Sequence, residues 1–301
     1  MIVSIMAQNM KRNFHVIGAC SCWGAQIRAC EKGPEALLDG KVFERLKKKG
    51  IDIHEVEMLY PEIQAKEKEI PLSESLPLIH HFNTQLCHAV RKALQLQLFP
   101  IVIGGDHSIA IGTWNAFDPP FGLIWIDAHM DAHVPETSPS GAYHGMPVAA
   151  LLGRGFPEMA SLVKKGAVIA PQNLAFIGVR SYEEGEEALL KELGVKIYFM
   201  DEVKMRGLKE ILPEAIAHVT KRTSRYGVSL DLDAFDLKEA PGVGSPEEGG
   251  IEKKEFLPLL SLFRKDSRLI GFEIVEYNPD RDVDHKTLEL TYEVLYEVMK
   301  G

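Results

Sequence analysis

The strongest constraint on what this chain can fold into is a rhythm: short, almost wholly apolar runs alternate with longer segments of helical period. The apolar runs fall at 14–19, 51–57, 99–103, 121–126, 174–179, 195–199, 226–230 and 269–275. Helical patterns lie between or after them, near 34–49, 73–95, 182–193, 205–222, 252–264 and 286–299. Strands that are apolar on both faces belong between two layers of helices, so the rhythm predicts a three-layer α/β/α sandwich with a mainly parallel central sheet. No repeat, linker or low-complexity tract interrupts it. The chain, 1–301, is expected to form one domain, with residues 1–13 as a flexible extension.

Composition narrows the function by exclusion. A formal net charge of -9 argues against a nucleic-acid or anionic-membrane surface, which needs clustered Lys and Arg. The basic pair near the start follows the first apolar patch rather than preceding it, and no apolar run approaches the length of a membrane span, so a cytoplasmic protein is expected. Cys20, Cys22, Cys30 and Cys87 lack zinc-knuckle spacing and read as buried thiols. The runs KKKG at 47–50 and SPEEGG read as solvated surface.

In parallel sheets, ligands collect outside the carboxyl ends of the strands, and four polar clusters stand there. GGDHS, with Asp106 and His107, follows the run at 99–103; DAHMDAH, with Asp127, His129, Asp131 and His133, follows 121–126. DLDAFD, with Asp231, Asp233 and Asp236, follows 226–230, and Glu276 ends the run at 269–275. Residues two apart in an extended segment project to one side, so Asp127, His129 and Asp131 can converge, as can Asp231 with Asp233. Carboxylates crowded in this way repel unless a divalent cation neutralises them. Oxygen-rich ligation with few imidazoles and no thiolate suits Mn²⁺ or Mg²⁺ better than Zn²⁺ or copper, and four carboxylates with two imidazoles suit two ions better than one. Two ions that activate a water between them point to hydrolysis. The loop at 234–250, rich in Gly, Pro and acid, is long enough to be functional.

At these residues the sequence resembles the ureohydrolase family of arginases and agmatinases. GGDHS, DAHMD and SLDLDAFD carry the likeness, joined by SCWGAQ, EKGPEAL, HGMP, APGVGSPEEGG and VEYNP. The resemblance implies an open α/β sandwich, a homotrimer or homohexamer, and two Mn²⁺ per subunit held by His107, Asp127, His129, Asp131, Asp231 and Asp233. It implies further that His144 shuttles protons to the leaving amine and that Glu276 holds the guanidinium, a pairing suited to two parallel charge-assisted hydrogen bonds. Asp131 is placed among the catalytic residues as well as the ligands. Asp106 and Asp236 are expected to orient a ligand histidine or to fix a loop.

The same resemblance implies a substrate head bound by Ser138, Ser140, Glu183 and Glu186, with His133 lining the pocket rather than acting as a third ligand. PETSPSG and VEYNP look more like arginase, and GSPEEGG more like agmatinase; His133 and Ala142 stand where many arginases carry Asn. The expected reaction is hydrolysis of L-arginine to L-ornithine and urea by a hydroxide bridging the metals. The alternatives are agmatinase, guanidinobutyrase or formimidoylglutamase chemistry. A rival from the same chemistry is a dinuclear phosphoesterase, disfavoured by the missing GNH motif and the acidic pocket residues, and a rival from another class is a non-catalytic, metal-stabilised binding module.

Overall fold

The computed structural model describes residues 12–62, 70–160, 162 and 166–301. Most of the expected flexible extension therefore lies outside the described residues. Of the remainder, Arg12 donates to the Asp266 carbonyl at 2.5 Å and stacks its guanidinium over Phe99.

Among the described residues eight parallel strands form one sheet: β1 (Phe14–Ala19), β2 (Ile53–Leu59), β3 (Phe99–Gly104), β4 (Gly122–Ile126), β5 (Leu174–Val179), β6 (Lys196–Phe199), β7 (Tyr226–Asp231) and β8 (Leu269–Val275). Their order is β2-β1-β3-β8-β7-β4-β5-β6. Alternation along each strand feeds two cores. Val16, Ile101, Ile124 and Val228 face one layer; Ile17, Val102, Leu123 and Trp125 face the other. The first layer holds α1 (Gly33–Asp39) and α2 (Val42–Lys48), and the second holds α3 (Leu76–Gln95), α4 (Ala110–Asn115), α5 (Pro147–Leu151), α6 (Pro157–Ala160) and α7 (Glu184–Glu192). The chain then returns to the first layer with α8 (Met200–Arg206), α9 (Leu208–Val219), α10 (Lys253–Phe256), α11 (Leu260–Arg264) and α12 (Lys286–Met299). The expected α/β/α sandwich is what the chain forms.

Departures from the expected elements have local causes. The helix expected near 34–49 is two, because Gly40 packs where a side chain would meet Leu288 and Lys41 takes a φ of 56°. The helix expected at 205–222 is likewise divided at Gly207, whose φ of 80° ends α8 and begins α9. Pro258 interrupts the segment expected as one helix at 252–264, leaving a 3₁₀ turn (Leu257–Leu259) between α10 and α11. Pro77 sits in the first turn of α3, where a missing N–H costs nothing. Among the described residues no helix is long and apolar enough to cross a membrane.

The consequence for function is positional. β3, β8, β7 and β4 are consecutive neighbours at the centre of the sheet, and the four polar clusters stand at or just beyond their carboxyl ends.

Candidate metal centre

The strand ends aim their side chains by short, specific turns. Asp231 closes β7, and its Oδ1 accepts from the Asp233 amide at 2.8 Å, opening a 3₁₀ turn (Leu232–Ala234) that carries Asp233 back to the same side. Beyond β4 the backbone bends instead of running extended, so the period-two expectation for the DAHMD segment does not hold. Convergence comes from two other features. Asp127 Oδ1 accepts the His129 amide at 2.7 Å, and Asp131 adopts a φ of 49°. That left-handed backbone is costly for a residue other than glycine and marks a position held by its surroundings.

Two donor groups result, both containing Asp127. In one, His107 Nδ1 lies 3.1 Å from Asp127 Oδ2, 3.0 Å from Asp131 Oδ2 and 3.1 Å from Asp231 Oδ2. In the other, His129 Nδ1 lies 3.1 Å from Asp233 Oδ2 and 3.5 Å from Asp127 Oδ1. Asp127 thus turns one oxygen toward each histidine, as a bridging carboxylate would.

The His107 nitrogen tests whether a cation fits. It is buried and among the described residues makes no hydrogen bond of acceptable geometry, although three carboxylate oxygens surround it. A single N–H could serve one of them at most. Two donors each about 2.1 Å from an octahedral ion and at right angles stand about 3.0 Å apart, which is the spacing found here. The far side of the ring agrees. His107 Nε2 meets Ser229 Oγ at 2.9 Å, and that hydroxyl donates to Glu273 Oε2 at 2.6 Å. With its proton committed to Glu273, Ser229 accepts from Nε2–H, so in the neutral ring it is Nδ1 that keeps the lone pair an ion would take. Trp125 stacks on the ring at 4.0 Å and donates its indole N–H to Asp127 Oδ2 at 2.9 Å.

The electrostatics point the same way. Burial and mutual repulsion raise Asp231 well above the carboxylate range and push Asp233 up to about 6. Burial opposes charge on His107 and His129, but the surrounding carboxylates outweigh it and raise both. Left to itself the site gathers protons, the response of an anionic cage to missing positive charge. The donor set fits a hard divalent cation in each group.

Above this floor a cleft of about 220 Å³ opens, lined among others by His129, Asp131, His133, His144, Asp231, Asp233 and Glu276. A larger hollow of about 890 Å³ lies at the opposite, amino ends of the strands, beside Arg12, Phe99 and Ile270, and has none of this chemistry. Glu276 is 2% exposed and has a φ of 65°. Its Oε1 accepts from the His107 amide at 2.9 Å and meets His144 Nδ1 at 3.0 Å. Burial resists, yet the Glu276 bond and charge lift His144 to about 9, and His144 in turn holds Glu276 low.

At the outer end, His133 Nε2 lies between Glu183 Oε2 at 2.9 Å and Glu186 Oε2 at 3.3 Å, with Nδ1 beside Thr137 Oγ1 at 3.1 Å. The two acids also form the capping box that starts α7. Ser140 lines the cleft; Ser138 does not, and its hydroxyl accepts from the Gly141 amide at 3.0 Å. Asp106 fixes a loop, taking the amides of Gly24 and Ala25 at 2.7 and 3.0 Å; Asp236 accepts the Lys238 amide at 3.0 Å, a local turn contact.

Sequence reasoning missed several participants. Gln26 and Ser245 line the cleft, within the SCWGAQ and GSPEEGG motifs, which the sequence marks only as likeness or surface. Ser229 and Glu273 are strand residues with no motif of their own. Cys30, buried with the other three cysteines as expected, donates to Glu276 Oε2 at 3.2 Å. Arg180 carries no motif either, yet it binds the backbone carbonyls of Asp233, Glu247 and Glu248 and so anchors the long loop beside these donor groups.

Comparison with known proteins agrees with this geometry. The arginase of Bacillus caldovelox is 37% identical over 283 residues, covering 90% of this chain and 93% of its own, and that of Brevibacillus brevis is 34% identical over 292 residues, covering 96% and 98%. The crystal structure of Bacillus cereus arginase superposes with a TM-score of 0.88 at 31% identity, covering 97% of this chain and 99% of that one. The Bacillus subtilis arginase structure gives 0.87 at 33%, covering 96% and 99%. Residues 12–301 match the Arginase family as a whole, and the chain accordingly belongs to that family, as a hydrolase of the ureohydrolase type.

Proposed function

We propose that this chain hydrolyses L-arginine to L-ornithine and urea with two Mn²⁺ per subunit, held by His107, Asp127, His129, Asp131, Asp231 and Asp233. The observation that carries the reading is the shared carboxylate: Asp127 belongs to both histidine-containing donor groups on the floor of one cleft. When bound, such a pair of ions lowers the pKa of water and offsets negative charge developing on the attacked group. The remaining work falls to the chain. Glu276 presents a carboxylate to the planar guanidinium and orients its carbon over the floor. His144, protonated at neutral pH through its contact with Glu276, gives its proton to the departing amine as the C–N bond breaks. Asp131 joins the floor to the cleft wall, being close to His107 and exposed to the cavity. Ser140, His133, Glu183 and Glu186 meet the amino-acid head at the outer end.

One observation favours a second reading. His133 already pairs with both Glu183 and Glu186, and Ala142 offers no side-chain donor, which suits a guanidino substrate with a different head, such as agmatine or guanidinobutyrate. We also take the chain to act as one domain and to assemble as a homotrimer or homohexamer, as its arginase resemblance implies. The test is a panel of L-arginine, agmatine and 4-guanidinobutyrate on manganese-loaded protein, scored for urea and amine. Preference for L-arginine supports the first reading. Preference for either of the others overturns it in favour of the second, and no urea from any of them removes both.

A further inference from the structure

Outside the cleft, at the β2–β1 edge of the sheet, three side chains with no part in the chemistry above converge. His15 stands on the face of β1 that α3 covers; Glu55 is its register partner on β2, and Glu57 lies two residues on, on the same face. His15 is wholly buried, and among the described residues neither of its ring nitrogens finds a hydrogen-bond partner; a buried Glu57 oxygen, Oε2, is also without one there. His15 Nε2 nevertheless lies 3.1 Å from Glu57 Oε2 and 3.7 Å from Glu55 Oε2.

This is the signature of His107 Nδ1: a buried imidazole nitrogen close to carboxylate oxygens yet out of line for an N–H bond. Buried polar atoms rarely go unsatisfied, and an ion is one of the few things that satisfies this arrangement. Two donors each about 2.1 Å from a tetrahedral ion stand about 3.4 Å apart, between the two distances observed. The separations at His107 are shorter and more uniform, so the two places suit different coordination. Lys92 of α3 approaches from the solvent side, its Nζ 3.5 Å from Glu57 Oε2 and 3.9 Å from Glu55 Oε2. It is half exposed on a flexible stem and can swing clear, so it competes with a cation without blocking the place.

We propose that His15, Glu55 and Glu57 form a separate site for a divalent cation of the zinc type, with water completing a tetrahedral shell. Zinc accepts mixed nitrogen and carboxylate ligation in that geometry. The ion joins the edge strand β2 to its neighbour β1, a structural role independent of the cleft and of whichever substrate the cleft takes.

The test uses full-length protein loaded with manganese and dialysed against zinc in excess manganese, with zinc counted by elemental analysis. The Glu55→Gln/Glu57→Gln double variant changes only partly exposed side chains. It should fold by circular dichroism, retain its manganese and urea release, and bind one zinc fewer per chain than the parent. Lys92→Ala, which removes the competing ammonium, should bind that zinc several-fold more tightly, a gain that misfolding cannot produce. Equal zinc content in the parent and the double variant, or zinc affinity unchanged or weaker in Lys92→Ala, overturns the proposal.

Discussion

At the scale of single residues, the cleft depends on what is missing as much as on what is present. Gly244 has no side chain where a Cβ would stand 2.1 Å from Glu276 Oε2 and 3.3 Å from Cys30 Sγ. Gly244→Ala should therefore displace the carboxylate rather than unfold the chain. KM for the guanidino substrate should rise about tenfold or more, while the melting temperature moves by only a few degrees. Steady-state kinetics beside a thermal melt check it, and an unchanged KM would show that Glu276 does not meet the substrate. His144 makes the opposite kind of prediction. Its proton is held to about pH 9 by Glu276, against the opposing effect of burial, so at neutral pH it is a loaded donor. His144→Asn keeps the size and loses the proton, and kcat should fall on the order of 10²-fold or more, with KM changing far less. These residues differ in how readable they were. His144 and Glu276 sit in motifs, whereas Cys30, Ser229 and Glu273 act through contacts 44 to 246 residues distant in sequence, which no local pattern encodes.

At the scale of elements, the loop after β7 shows how a segment without regular structure is made rigid. Arg180, just past β5, spreads its guanidinium over the carbonyls of Asp233, Glu247 and Glu248, at 2.6, 3.0 and 3.0 Å. A planar fork with five donors can do this; a lysine ammonium cannot match the geometry. Arg180→Lys should leave the sheet intact but loosen the loop, with faster amide exchange over 236–250 and weaker manganese binding through Asp233. Hydrogen exchange and a manganese titration together test it, and unaltered exchange in the loop would sink the idea. The strands were readable because their burial on both faces leaves nearly unbroken apolar runs, and β1, β5 and β8 have the expected limits. Helix limits were less so. Gly40, Gly207 and Pro258 divide three expected helices, and a smooth apolar period continues across such breaks. The short helices α4, α5 and α6 carry too few residues to display a period at all.

At the scale of the whole molecule, the centre of the sheet is where the sequence conflicts with stability and where a bound cation would resolve the conflict. Three neighbouring strands, β8, β7 and β4, deliver carboxylates to one place and β3 adds a histidine, and burial with mutual repulsion raises Asp231 and Asp233. The sign of the effect follows. Asp233 binds its proton up to about pH 6 in the metal-free fold but only to about pH 4 when unfolded, so its favourable contribution is complete below about pH 4 and is lost as pH rises through 6. Asp231, raised further, extends the loss to higher pH. A cation removes this penalty by taking the place of the protons, and it adds stability through its preference for the folded state, about 2.7 kcal/mol for each ion present at a hundredfold excess over its Kd. Chelated protein should therefore lose stability steadily between about pH 4 and 7, while manganese-loaded protein holds or gains, because the ligands must deprotonate to bind. The two denaturant midpoints should lie close together near pH 4.5 and diverge with rising pH. His129→Asn should reduce the separation at every pH by weakening one of the two donor groups. Curves that remain parallel from pH 4.5 to 7.5 would mean that the carboxylates at the centre of the sheet are neutralised by something other than a bound metal.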